Sequence, residues 1–420
     1  MYRELYQWLD ECCDKLRGCG QLEEMFRKCF LNTLETTVKD TGDSVFIITG
    51  DIDAMWLRDS SVQVSHYVQV ADRDPDAASL IRRVLLRQYG YICIDPYANA
   101  FLPDPSGLGW KDITRNDPWV WERKYEIDSL VYPLWLTCQY CERTGDLSVL
   151  GMEFKQAFSS ILDTFEREQN HAARSDYSFI RPDSALDTLD NNGHGADCAY
   201  TGLVFSAFRP SDDRCRYHYL IPSNLFICSV FRRLMPLLTN MDQRRRAQKL
   251  VVEIERGIER CGIVEHEKYG RIYAYETDGL GNYLLMDDAN VPNLLGLPYL
   301  GVCGVQDPVY RNTRNFCLSP DNPYYFEGKS ARGLGSPHTP QGWIWHIGLI
   351  MQALTSQDSA EIAGILRTLL DTTAGTGYMH ESFCADDPGQ FSRSWFAWAN
   401  TMFAVLILQL IEGGFEFENL

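Results

Sequence analysis

Residues 50–72 read G-D-I-D-A-M-W-L-R-D-S-S-V-Q-V-S-H-Y-V-Q-V-A-D, two patterns joined end to end. The first, Gly50 to Asp59, crowds Asp51, Asp53, Arg58 and Asp59 around Trp56. From Ser60 onward the apolar residues return every three or four positions, the period of a helix with one buried face. Ser60-Ser61-Val62-Gln63 has the spacing of a capping box, and Asp59 stands where a negative charge favours a helix N-terminus. The unit is a polar loop that empties into a helix, and it recurs in both directions along the chain.

Segments near 2–16, 21–37, 60–72, 76–92, 126–143, 152–170, 222–240, 241–261, 341–355, 358–371 and 394–412 carry the helical period, which predicts about eleven helices. Gly18 to Gly20 breaks the first pair, and Gly413-Gly414 follows the last helix. Only short β-like pieces occur, such as Val45 to Thr49 and Arg271 to Tyr275, without strand–helix alternation. The predicted class is mainly α, in one domain over residues 1–420. Long connections near 93–125, 171–221, 262–290, 311–340 and 374–393 are rich in Gly, Pro, Asp, Asn and aromatics, so they are expected to be ordered and functional. Helices in series with long loops on one side describe an α/α toroid, in which the loops line a funnel.

Of the 420 residues 45% are apolar, ample for a core without disulfides or a metal. The 57 Asp and Glu against 39 Lys and Arg leave a net charge of −18, which disfavours nucleic acid and anionic membranes as partners. Ten Trp and 22 Tyr add flat amphipathic surfaces. Acid and aromatic together suit a neutral, hydroxyl-rich ligand: rings cover C–H faces and carboxylates accept from hydroxyls. Fourteen Cys, no signal-like apolar opening, no apolar run of membrane length and no N-x-[ST] sequon lead to the expectation of a cytoplasmic protein with free thiols. The lone C-x-x-C at Cys138 and Cys141 fits one face of a helix better than a metal site.

Dinucleotide, P-loop and G-x-S-x-G signatures are absent, and His266-Glu267 and His380-Glu381 lack the second His of a zinc protease. Two further strings complete the chemistry begun at Gly50. Ser206-Ala207-Phe208-Arg209-Pro210-Ser211-Asp212-Asp213 ends in adjacent carboxyls among aromatics, where repulsion and burial raise one pKa toward that of a general acid. Gly377-Tyr378-Met379-His380-Glu381-Ser382-Phe383 presents a lone Glu, with Arg393 and the aromatics of R-S-W-F-A-W-A-N at 393–400 following it. Two carboxyls on separate loops over one funnel form the constellation of a glycosidase.

The strings D-I-D-A-M-W-L-R-D-S, F-R-P-S-D-D, D-D-A-N-V-P-N-L-L, H-E-S-F and R-S-W-F-A-W-A-N, in order from about residue 24 to 415, resemble glycoside hydrolase family 125, the exo-α-1,6-mannosidases. The resemblance implies an (α/α)6 barrel that removes non-reducing terminal mannose from α-1,6 linkages with inversion, using no metal or other cofactor. On the matching positions it implies a general acid at Asp212 or Asp213, with Asp212 preferred on loose analogy with other α/α-barrel glycosidases, and a general base at Glu381. Asp53, Trp56, Arg58 and Asp59 would then shape the sugar pocket, the Arg58–Asp59 pair gripping vicinal hydroxyls. Asp287, Asp288, Asn290, His338 and Trp343 are further candidates for its wall.

Three other readings use the same features. A related α-glycosidase would take another sugar. A sugar epimerase would use histidines as acid and base, with His218, His266, His338 and His380 as candidates. A carbohydrate-binding protein would bind without turnover.

Overall fold

The computed structural model describes residues 1–42 and 44–417. Its helices in chain order are α1 (Arg3–Asp14), α2 (Gly20–Asn32), α3 (Leu57–Gln63), α4 (Pro75–Ile94), α5 (Ile127–Thr144), α6 (Met152–Glu168), the single turns α7 (His171–Arg174) and α8 (Asp190–Gly193), α9 (Ile221–Leu234), α10 (Met241–Gly257), α11 (Pro308–Cys317), α12 (His346–Leu354), α13 (Ser359–Asp371) and α14 (Ala397–Glu412). The chain is mainly helical, as its period predicts.

Burial sorts the helices into two kinds. All seven residues of α3 are buried, as are nearly all of α5, α9 and α14. A helix buried on every face lies inside whatever its composition, as α3 with its buried Arg58 and Asp59 shows. By contrast α10 buries one face only, at Gln243, Ala247, Leu250, Val251, Ile254 and Gly257, the spacing of an outer helix packed on an inner layer.

The inner helices follow one another by contact: α3 packs on α5, α5 on α9, α12 on α14, and α14 back on α3. Between α9 and α12 the chain at 291–302 runs as successive turns. The Tyr132 hydroxyl of α5 donates to the Val291 carbonyl at 3.0 Å, and Ser229 of α9 donates to the Leu300 carbonyl at 2.7 Å. Gly296 lies so near α12 that a Cβ there would meet the Met351 sulfur at 3.2 Å. Outside this layer, α2 covers α14, α4 covers α5 and α6, α10 lies against α6 and α9, and α13 covers α12. The apolar core is continuous from Leu5 to Phe417.

Strands deliver the chain into the inner helices. Met55–Trp56 runs into α3, Tyr219–Leu220 into α9 and Trp343–Trp345 into α12. Each belongs to a three-stranded antiparallel sheet. First-turn residues of three of the inner helices meet at one end: Arg58 of α3 reaches Asp128 of α5 and lies 5.2 Å from the ring centre of Trp398 of α14.

Three sequence expectations change. The helix expected over 60–72 starts at Leu57, and Ser60 is not its cap. Its hydroxyl donates instead to the Trp56 carbonyl at 2.6 Å, and residues 65–70 tighten into a 3-10 turn. The helix expected over 341–355 begins only at His346, because Trp343–Trp345 pairs as a strand with Ser382–Cys384. The connection expected over 311–340 contains most of α11, whose Asp307 cap accepts from the Tyr310 N–H. The four buried residues of this ten-residue helix, Tyr310, Thr313, Phe316 and Cys317, keep the helical spacing, but one of them is a polar Thr. Cys138 and Cys141 are both buried on α5. Among the described residues, no helix is long and apolar enough to cross a membrane.

Candidate active site

Arg58 is the hub of the buried end. Its Nη1 donates to Glu126 at 2.7 Å and Asp128 at 2.9 Å, and its Nη2 stands 3.7 Å from Asp212 Oδ1. Asp59 Oδ2 lies 3.5 Å from Nε. Burial opposes a charge on Arg58, but the Glu126, Asp128, Asp59 and Asp212 carboxyls outweigh it and hold the guanidinium firmly protonated. Burial also pushes Asp59 up to about 6 against the pull of Arg58, with Asp212 adding to the rise. Nη1 is thus committed to two carboxylates, while Nε has no hydrogen-bond partner among the described residues.

The Ser206–Asp213 string forms a pinned loop. The Arg209 N–H donates to the Asp213 carbonyl at 2.8 Å, and the Asp212 N–H donates to the Arg209 carbonyl at 2.9 Å. Buried Glu276 anchors the loop, pairing with Arg209 Nε at 2.6 Å and accepting the N–H groups of Arg216 and Tyr217 at 2.9 Å. Asp212 sits there with φ 69°, a left-handed conformation a non-glycine residue holds only when its surroundings impose it. The turn separates the two adjacent carboxyls. Asp212 faces Arg58 and Asn99, whereas Asp213 Oδ1 stands 3.0 Å from His338 Nδ1. Burial lowers the affinity of His338 for a proton, yet the Asp213 hydrogen bond and charge, with Asp212 and Glu381 beyond, raise it to about 9. His338 is thus a cation at neutral pH.

Glu381 immediately precedes the strand Ser382–Cys384 and is 8% exposed. Arg393 donates from Nε to its Oε1 at 3.0 Å and pairs through Nη1 with Asp51. The neighbouring His380 is turned away from the cavity, its Nδ1 at 2.9 Å from the Arg393 carbonyl and its Nε2 at 3.0 Å from that of Thr373.

These groups meet in one small cavity, about 420 Å³ with its open mouth included. Its wall brings together Trp56, Arg58, Asp59, Asp212, Asn290, His338 and Glu381 from the sequence candidates, with Arg393, Trp345, Phe396 and Trp398. Larger depressions exist, such as one of about 1510 Å³ between α12, α13 and the end of α14, but they lack facing carboxyls among aromatic rings. The indole N–H groups of Trp56 and Trp398 have no acceptor among the described residues, which leaves two donors in an aromatic wall.

Other candidates stand elsewhere. Asp53 is largely exposed and pairs with Lys39. Asp287 is structural in its contacts, accepting the N–H groups of Leu294 and Leu295 at 2.8 and 2.9 Å. Asp288 supports the wall from behind, holding the Asn290 side chain at 2.8 Å and the Ser336 hydroxyl at 3.0 Å. Trp343 lies outside the wall, in which Trp345 stands. Asp213 is not in the wall itself and touches it through His338.

Glu126 and Asp128 escape a reading of the sequence, because two acids at a helix start look like ordinary N-terminal charge. Of the four histidines an epimerase would draw on, only His338 lines the cavity. The ring of His218 is fixed between the Ser206 carbonyl and the Ala196 N–H, both at 2.9 Å, and His266 Nδ1 accepts from the Lys268 N–H at 3.1 Å. No group of three or more His, Cys, Asp or Glu among the described residues has the arrangement of a metal site.

Residues 20–408 match the family profile described as metal-independent alpha-mannosidase (GH125). A Schizosaccharomyces pombe relative, the meiotically up-regulated gene 157 protein, is 40% identical over 419 residues, covering 93% of this chain and 82% of the relative. A Streptococcus pneumoniae metal-independent α-mannosidase, solved as a non-productive substrate complex with α-1,6-mannobiose, superposes with a TM-score of 0.96 at 43% identity, over 98% of this chain and 99% of that one. A bacterial glucoamylase complexed with acarbose shares the fold alone, with a TM-score of 0.57 at 12% identity over 92% of this chain and 55% of its own.

Proposed function

Because the chain belongs to glycoside hydrolase family 125, the metal-independent α-mannosidases, it is a glycosidase of α-mannosides, and we propose that it removes non-reducing terminal mannose from α-1,6 linkages with inversion. We further propose a single (α/α)6 barrel over residues 1–420 and a cytoplasmic setting, the latter supported by fourteen unpaired thiols. The S. pneumoniae complex with α-1,6-mannobiose supports the linkage.

The observation that carries the reaction is the meeting of Asp212 and Glu381, from loops far apart in sequence, in one small cavity walled by Trp56, Trp345 and Trp398. Asp212 is the general acid that protonates the departing glycosidic oxygen, and Glu381 is the base that takes a proton from the attacking water on the other ring face. The turn that points Asp212 into the cavity and commits Asp213 to His338 favours Asp212 over its neighbour. Arg393 fixes the Glu381 carboxylate through Oε1, leaving Oε2 for the water. Asp59 and Asn290 are the polar groups placed for the sugar hydroxyls, and the indole rings cover its apolar face.

Glu381→Gln tests the base directly. It lowers kcat on α-1,6-mannobiose by about 10²–10⁴-fold, the usual worth of a general base, and leaves binding of the disaccharide near the wild-type level by calorimetry. Near-wild-type turnover would remove Glu381 from the role.

A further inference from the structure

Four carboxyls, of Asp59, Glu126, Asp128 and Asp212, surround the single guanidinium of Arg58 at the closed end of the cavity. The first three are buried, and their charges outnumber the local cations even with Lys124, which bonds the Asp212 carbonyl at 2.8 Å and Asp187 at 2.9 Å. A buried cluster with such an excess keeps a proton. Geometry singles out where. Glu126 Oε2 is saturated by Arg58 Nη1 at 2.7 Å and the Ser129 hydroxyl at 2.8 Å. Its Oε1 and Asp212 Oδ1 share one amide donor, Asn99 Nδ2, at 3.5 and 3.3 Å. That amide has two N–H groups, and Glu122 Oε2 takes one at 2.9 Å, so the oxygens of Glu126 and Asp212 converge on the other and repel unless a proton lies between them. Asp128 Oδ1 has no partner among the described residues, so a proton held there has no neighbouring carboxylate to pass to.

We propose that Glu126 is a positioning residue that stores the proton used by Asp212. In the resting enzyme the Glu126 carboxyl is protonated and donates to the Asp212 carboxylate. As the glycosidic oxygen begins to leave, the Glu126 O–H bond breaks, the proton crosses to Asp212, and Asp212 delivers it to the departing alcohol. Both carboxyls end ionised, while Glu381 holds the proton taken from water. Solvent in the cavity then returns one proton through Asp212 and removes one from Glu381, so the cycle closes with water consumed and one mannose released. The role rests on the assignment of Asp212 as the acid.

The groups facing Glu126 agree with this direction. Burial raises it well above the ordinary carboxyl range, Arg58 opposes the rise, and Asp212 and Asp128 add to it. Asp59 lies beyond Arg58, and Glu122 shares Asn99 at 2.9 Å. Burial favours the neutral form of Asp212, but Lys124 and Arg58, with the Glu126 hydrogen bond and His338, bring it down to about 2. Alone, such a group would hold no proton at neutral pH. Paired with Glu126, it has one at hand.

Glu126→Gln keeps the size of the side chain and removes the transferable proton. We expect kcat on α-1,6-mannobiose to fall about 10²-fold with KM little changed, and the rate on 2,4-dinitrophenyl α-mannoside, whose leaving group needs no proton, to stay near wild type. Equal loss on both substrates, or no loss on either, would overturn the store. Should that variant not fold, Ser129→Ala removes a donor to the Glu126 anion and so raises the alkaline limb of the pH–kcat profile; an unmoved limb contradicts the proposal. Wild-type enzyme inactive on both mannosides would instead refute the functional reading. The store is then decided by infrared difference spectra at neutral pH, in which wild type minus Glu126→Gln carries the carbonyl band of a protonated carboxyl or, if the proposal is wrong, lacks it.

Discussion

At the scale of single residues, the pairing of Asp213 with His338 carries a consequence that titration reads. Asp213 is the leading partner that holds His338 at about 9, so Asp213→Asn lowers the imidazole toward or below its ordinary value, measurable by NMR. The sign for stability follows from the same shift. A histidine raised in the fold from 6.5 to about 9 stabilises fully below the lower value and loses that contribution as pH rises through the upper one. The variant therefore loses the wild-type decline of Tm across that window. Asp212 and Glu381, which line the cavity, stand in uncommon strings, but the sequence did not separate Asp212 from its neighbour Asp213. Glu126, Asp128 and the Glu276 anchor were not, since their partners come from remote segments and only the fold brings Arg58 and Arg209 to them.

At the scale of elements, Asp74 shows how one cap sets the placing of two helices. Its Oδ1 accepts the Asp76 and Ala77 N–H groups at the start of α4, both at 2.9 Å, and its Oδ2 accepts the Leu5 N–H of α1 at 2.9 Å. Asp74→Ala removes the cap and leaves a buried N–H unpaired, a loss of about 2 kcal/mol seen as a lower Tm, with KM unchanged because the cavity is remote. The long outer helices were readable from period, as α10 and α4 show. The junctions were less so. At Leu57 and His346 the helix starts without a side-chain cap, because a strand from a local sheet sets the first turn. Such pairing is decided by contacts between segments far apart, for which a run of sequence carries no signal.

At the scale of the whole molecule, the inner helices α3, α5, α9, α12 and α14 follow one another by contact, with the 291–302 turns between α9 and α12. The first turns of α3 and α14 and the strand that leads into α12 line the cavity, and α5 reaches it through Asp128 at Arg58. This explains why the acid excess of the chain has a local meaning. Most of the −18 is surface, whereas the few carboxyls around Arg58 are buried beside aromatic rings, where protonation states can be set by neighbours. The predicted mainly α class agrees with the helical architecture, and the mannosidase resemblance agrees with the family match over residues 20–408. We propose that this cavity hydrolyses an α-1,6-mannoside by acid at Asp212 and base at Glu381, with water entering opposite the leaving oxygen. Proton NMR of α-1,6-mannobiose during the first turnovers tests it most directly. Inversion releases β-mannose as the first anomer, converting later to the equilibrium mixture, whereas α-mannose appearing first, or no mannose at all, would rule the mechanism out.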